Sequence, residues 1–142
     1  MKKISLMIVA VMITSLTFAQ KLQENNVPAP VRTAFLEKFP QVKVEKWEKE
    51  EGNYEVEFEL NDSEQSVLFD AEGNVLETEV EIDLNQLPKN VLEYVNTRYK
   101  GMKVKEASKI IDANGVITFE AEIKGADLLF DSNGTFIKEV QN

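Results

Sequence analysis

The residues of this chain best suited to chemistry are carboxylates at every second position. Glu55, Glu57 and Glu59 form one such set and Glu77, Glu79 and Glu81 another. In an extended strand, alternate side chains share a face, so each set predicts a row of acids. Paired carboxylates can hydrolyse glycosides, but only in a cleft where one environment raises a pKa. An open sheet face supplies neither. If the strands pair in sequence order, the rows lie about 10 Å apart, close to the screening length at physiological salt. The charges would then feel each other mildly. The rows read as a solvated face, or as an acidic docking surface for a cationic ligand or a basic partner.

Trp47 stands near the first row. Alternation that turns Val42 and Val44 toward a core puts Lys43, Glu45 and Trp47 together on the opposite face. An exposed tryptophan among charges is a common interface anchor. A single bulge between Val44 and Trp47 would instead turn it into the core. The candidate partner-binding set is therefore Trp47, Lys43, Glu45, Glu55, Glu57 and Glu59. Tyr54 shares its face with Val56, Phe58 and Leu60 and reads as core.

Other chemistries find little support. Asp70-Ala71-Glu72-Gly73 and Asp131-Ser132-Asn133-Gly134 combine oxygen ligands with glycine, as calcium loops do. Each is a four-residue segment between short strands, and an aspartate opening a turn that closes on glycine accounts for both without an ion. The chain has no histidine and no cysteine, which removes imidazole catalysis, the commonest zinc ligand and any disulfide. Ser63, Ser66 and Ser108 lack a base at a recognisable spacing, and no glycine-rich phosphate loop is present. No catalytic residue, metal or cofactor is expected.

The elements that must position these residues come in two copies. Val27-Pro28-Ala29-Pro30-Val31 and Leu87-Pro88-Lys89-Asn90-Val91 each open a helix with proline in its first turn. Val31, Ala34, Phe35 and Phe39 line one face of the first helix, and Val91, Tyr94, Val95 and Tyr99 line the second. Pro40 and Gly101 end them. Strands are expected at Val42-Lys43-Val44 and Met102-Lys103-Val104. Tyr54-Glu55-Val56-Glu57-Phe58 then answers Phe119-Glu120-Ala121-Glu122-Ile123, and Leu68-Phe69-Asp70 answers Leu129-Phe130-Asp131. Turns fall at 51–53, 61–64 and 70–74 in the first copy, and at 112–115, 124–127 and 131–134 in the second. A unit of this size buries too little surface to be comfortable alone, so the copies should share one sheet. The expected fold is α+β: two tandem α-β-β-β-β repeats, 27–83 and 84–142, forming one curved antiparallel sheet of about eight strands. Both helices pack on one face and the other is open to solvent.

Upstream, Lys2 and Lys3 precede an apolar stretch, Ile4 to Phe18, and then Ala19-Gln20. This has the layout of a cleaved secretory signal peptide, residues 1–19, followed by a loose lead-in at 20–26. The whole chain carries a net charge of -9, and losing the leader's two lysines makes it -11. That charge disfavours nucleic acid and anionic membranes. A soluble periplasmic or secreted protein is expected, with no membrane insertion after cleavage and no cysteine to carry a lipid.

The order of these pieces resembles the PepSY-like domains, β-lactamase-inhibitor-like exported proteins of Bacteroidetes-type bacteria. The resemblance rests on the prolines before each helix, the segment from Trp47 to Tyr54-Glu55-Val56-Glu57, and the Phe-Asp-x-x-Gly turns at Phe69 and Phe130. It covers essentially all of the chain after the leader. It implies a tandem α/β fold with a saddle-shaped sheet, and no inhibition as such. The second copy departs from the pattern in having Ala107 to Ile110 where the first has Trp47. Two functions are compatible with these readings. One is a non-catalytic binding module holding an exported protein or peptide on its open sheet face. The other is a small-ligand carrier or sensor binding between the repeats. The sequence fixes no oligomeric state.

Overall fold

A computed structural model describes residues 19–142; the expected leader, residues 1–18, lies outside the described residues. Nine strands form one antiparallel sheet in strict sequence order. They are β1 (Gln20–Leu22), β2 (Lys43–Glu50), β3 (Asn53–Leu60), β4 (Ser63–Phe69), β5 (Val75–Ile82), β6 (Glu106–Asp112), β7 (Ile117–Ile123), β8 (Ala126–Asp131) and β9 (Phe136–Gln141). Two helices of equal length interrupt them, α1 (Ala29–Lys38) and α2 (Lys89–Arg98).

Each helix starts after a proline with extended backbone, Pro28 or Pro88, so the ring fixes the entry angle where an amide donor is not needed. Val31 and Phe35 of α1 pack on Trp47, Val56, Phe58, Val67 and Phe69. Val91 and Val95 of α2 pack on Ala107, Ala121, Ile123, Leu128 and Phe130. By strand alternation these contacts lie on the same side of the sheet, giving two apolar clusters under two helices. The clusters are built differently. In the first, Phe35 meets Trp47 edge-on at 5.5 Å and Phe58 at 5.3 Å between ring centroids. In the second, the matching positions are Val95, Ala107 and Ile123, and the aromatic packing moves to Tyr94, stacked on Phe136 at 4.8 Å.

Two segments differ from expectation. The lead-in is not loose: Gln20–Leu22 pairs with β2, placing Leu22 opposite Trp47. Ile82, at the end of β5, stands opposite Ala107 in the same way. A short 3-10 turn follows in each case, Glu24–Asn26 or Leu84–Gln86. The repeating unit therefore begins with a strand, and the second copy borrows the end of β5 for it, which joins the copies through one continuous ladder. Met102-Lys103-Val104 forms no strand. Gly101 takes a left-handed φ of 81°, and pairing resumes only at Glu106. The added β1 brings the count to nine, with β6 in place of the strand expected at 102–104.

The aspartate turns are satisfied internally. Asp70 Oδ1 accepts the amides of Glu72 and Asn74 at 3.0 and 2.9 Å, and Asp131 Oδ1 accepts those of Asn133 and Thr135, both at 2.9 Å. Asp112 repeats the arrangement with Asn114 and Val116. Bonds from the Asn74 side chain and backbone hold the Asp70 carboxyl below its ordinary range. These oxygens cap turns, as the spacing suggested.

Candidate functional site

Trp47 is a core residue, 3% exposed, and not the exposed anchor that simple alternation placed beside Lys43 and Glu45. The pairing of β2 with β3 slips between Val44 and Lys46, so Glu45 is an extra residue. Beyond that bulge every side chain of β2 changes face. Lys43 and Glu45 remain exposed, while Lys46 and Glu48 join the face opposite the helices.

That face is where the acids collect, but it is not a solvated stripe. Glu59 is exposed as expected, whereas Glu55 and Glu57 are 5% and 7% exposed. Burial continues across the sheet through Ser66, Glu79, Ser108, Glu120 and Asp127. The register explains why these residues meet. Glu57 pairs with Ser66 and Ser66 with Glu79. Ser108 pairs with Glu120 and stands diagonally from Glu79, just as Asp127 stands diagonally from Glu120. One polar row thus crosses six strands. Leu68, Ile110 and Leu129 are buried on the same face, each two residues on from Ser66, Ser108 and Asp127. Because β4, β6 and β8 run in the same direction, the three apolar side chains flank the row on one side. Among the described residues, both helices pack on the other face.

The electrostatics differ along the row. At its β2–β3 end, Lys46 Nζ lies 2.8 Å from a Glu57 oxygen and 3.3 Å from one of Glu48. The carboxylates of Glu48, Glu55 and Glu57 approach within 4.8 Å of one another, close enough to share a cation. The Lys46 ammonium already serves that trio from within the chain. Burial raises the Glu57 carboxyl, and Lys46 opposes it. Glu55 is pushed up to about 9 by burial and then by the charges of Glu57 and Glu79. Glu79 thus acts on Glu55 across β4, because screening by salt applies to solvated charges and these are desolvated.

Toward the second copy the cation is Lys105, which pairs with Glu122 and opposes the rise of the Asp127 carboxyl. Glu79 is 1% exposed, and neither of its oxygens meets a donor in hydrogen-bonding geometry, although the nearby Ser108 hydroxyl offsets part of the shift. Burial, then Glu77, Asp127 and Glu57, hold it up at about 8. Glu120 is raised to about 10 by burial, then by Glu79 and Asp127, and its Oε2 has no partner. Asp127 accepts one bond from Asn142 at 3.1 Å, and Glu122 faces Lys105 at 3.6 Å.

Sequence reasoning picked out Glu55, Glu57 and Glu79 but passed over Lys46, Glu48, Glu120 and Asp127. Glu120 was within reach, since it occupies in the second copy the place of Glu55 in the first. Lys46 and Glu48 were hidden by the bulge, which carries no composition signal.

The family described as "Putative beta-lactamase-inhibitor-like, PepSY-like" matches residues 16–77 and again 58–138. Among solved structures, a DUF2874 family protein from Bacteroides uniformis is similar at 20% identity, with 80% of this chain and 88% of that one covered and a TM-score of 0.68. A protein described as periplasmic from Bacteroides eggerthii is 14% identical over 81% of this chain and 88% of its own, with a TM-score of 0.67. A BLIP-like protein from Bacteroides fragilis is 24% identical over 80% and 86%, with a TM-score of 0.58. These likenesses establish the fold. No curated protein matches the chain. No helix among the described residues is long and apolar enough to cross a membrane. With both copies matched in one open antiparallel sheet carrying two helices, the chain belongs to the PepSY-like, β-lactamase-inhibitor-like family.

Proposed function

We propose that this protein is an exported, non-catalytic binding module that holds a protein or peptide partner on the sheet face opposite its helices. The observation that carries the reading is the row Glu57-Ser66-Glu79-Ser108-Glu120-Asp127. It gathers carboxylates from β3, β5, β7 and β8, with Glu79 against only the Ser108 hydroxyl and Glu120 Oε2 buried without a partner. Buried acids with so few donors cost free energy that a folded chain ordinarily avoids, so their retention fits a face completed by another molecule. Periplasmic relatives with the same fold are compatible with this location. The carrier reading gains nothing comparable. Where the copies meet, β5 and β6 pair without a break from Glu77 with Asp112 to Ile82 with Ala107.

The test is affinity purification from the exported fraction with the native protein and with Glu79→Gln/Glu120→Gln. Captured proteins are identified by mass spectrometry and the complex is rebuilt from purified components. A partner that binds the native protein and is lost by the folded variant is the expected result. Reconstituted binding that ignores the substitution overturns the assignment to this face.

A further inference from the structure

We propose that Glu48, Glu55 and Glu57, at the β2–β3 end of the acid face, form a site for one hard divalent cation of calcium's size. The site needs no partner protein. Strand register builds it: Glu48 stands directly across from Glu55, and Lys46 directly across from Glu57. Residues two apart on a strand share a face, so these four side chains make a square. Like charges directly opposite on neighbouring strands destabilise a sheet, and Glu48 and Glu55 are such a pair. One oxygen from each, together with one from Glu57, lies within 4.8 Å of the others.

Burial supplies the second, independent observation. Glu55 is 5% exposed, and its Oε1 is buried with no hydrogen-bond partner. Lys46 Nζ reaches Glu57 and Glu48 and leaves that oxygen unmet. An ionised carboxylate has only lone pairs to offer, so a cation is the kind of group it lacks. The square is not sealed. The Glu48 and Lys46 side chains are 21% and 29% exposed, which opens it to solvent along β2.

Charge and size select the ion. Three carboxylates and one ammonium, all ionised, leave two negative charges, which one divalent cation cancels. Every donor is a carboxylate oxygen, the ligand of hard cations, with no nitrogen or sulfur to favour copper or zinc. Three carboxylates can supply part of a six- to eight-oxygen shell, and water beside Glu48 the rest. Oxygens held about 2.3–2.6 Å from calcium can stand about 5 Å apart, whereas about 2.0–2.1 Å from magnesium allows only about 4 Å. A trio spread over as much as 4.8 Å closes on calcium and must contract for magnesium. On binding, the Lys46 ammonium swings to solvent on its flexible stem, and the proton that burial keeps on Glu55 is released.

The experiment uses the full-length chain expressed with its leader, purified after export and stripped of metal with a chelator. Calcium chloride alone is titrated in by calorimetry at neutral pH, with magnesium chloride as the comparison. One equivalent of calcium is expected to bind with a Kd of about 0.1–1 mM, and magnesium several-fold more weakly. Lys46→Met removes the competing ammonium and should tighten calcium several-fold. Glu55→Gln, nearly isosteric and checked by circular dichroism, should weaken it at least about tenfold. Glu79→Gln/Glu120→Gln changes the same face outside the trio and should leave calcium affinity as it is. Trp47 gives a readout that needs no variant, being the only tryptophan and lying between Lys46 and Glu48 in the chain. Terbium seated in the trio should luminesce when the indole is excited, and calcium should compete that signal away. Absence of calcium binding, absence of sensitised terbium, or equal calcium affinity in the native protein and Glu55→Gln overturns the site. Equal losses from Glu55→Gln and Glu79→Gln/Glu120→Gln overturn it too, since the acidity of the whole face would then hold the ion. None of these results bears on the partner reading, whose test turns on Glu79 and Glu120.

Discussion

Lys46 Nζ lies 2.8 Å from Glu57 on the neighbouring strand and 3.3 Å from Glu48 on its own. The contact exists because Glu45 bulges out of the β2–β3 ladder and puts Lys46 on the acid face. Its energetic role is asymmetric. The lysine is partly exposed, so the pair itself is worth little, but Glu57 is largely buried and would be left without its cation. Lys46→Met should cost about 1–3 kcal/mol at neutral pH. Lys46→Met/Glu57→Gln should recover most of that. Urea denaturation of the native, single and double variants measures the coupling.

The raised carboxyls make stability fall with increasing pH. Glu55, Glu79 and Glu120 stand at about 9, 8 and 10 in the folded chain against 4.5 for an ordinary glutamate. Between those limits the folded protein holds protons that the unfolded chain has released, so stability is full below about 4.5 and drains as pH rises toward 10. The total is on the order of several kcal/mol, shared among interacting acids. Melting temperature should therefore drop from pH 5.5 to pH 9.5. Glu79→Gln/Glu120→Gln should flatten the profile and exceed the native protein in stability at the alkaline end. A profile rising with pH would contradict the burial of these acids.

Trp47 fills the first core against Phe35, where its repeat partner in the second core is Ala107. Trp47→Ala should destabilise by about 3–5 kcal/mol, because Phe35 packs edge-on against the indole and would be left facing a cavity. The converse change, Ala107→Trp, should also destabilise: Ala121 lies directly across and both sites are buried, so no space exists. Chemical denaturation of each variant distinguishes a core tryptophan from the exposed anchor that alternation suggested, for which Trp47→Ala would be nearly neutral.

Gly73 closes the Asp70 turn at a left-handed φ of 88°, and a Cβ there would come within 2.7 Å of the Pro30 carbonyl oxygen at the start of α1. Backbone cannot move aside as a side chain can. Gly73→Ala should cost more than the ~1–2 kcal/mol of the dihedral alone. Gly52→Ala is the control, since its φ is 85° with nothing within 4 Å. The difference in denaturation midpoint between the two variants reports the α1–turn contact.

The sequence by itself determined the elements and the repeat. Prolines before Val31 and Val91, alternation from Tyr54 to Phe58, and aspartate–glycine turns are local signals, because dihedral preference, face alternation and turn hydrogen bonds involve residues a few positions apart. The tertiary structure alone decided which acids share an environment. A one-residue slip at Glu45 moved Trp47 into the core and Lys46 onto the acid face, and no local preference marks such a slip. Glu57, Glu79 and Glu120 lie far apart in the chain and become neighbours only through the ladders of β3 to β8. Burial, a property of the assembled sheet, then turned what alternation read as a solvated stripe into a set of raised carboxyls.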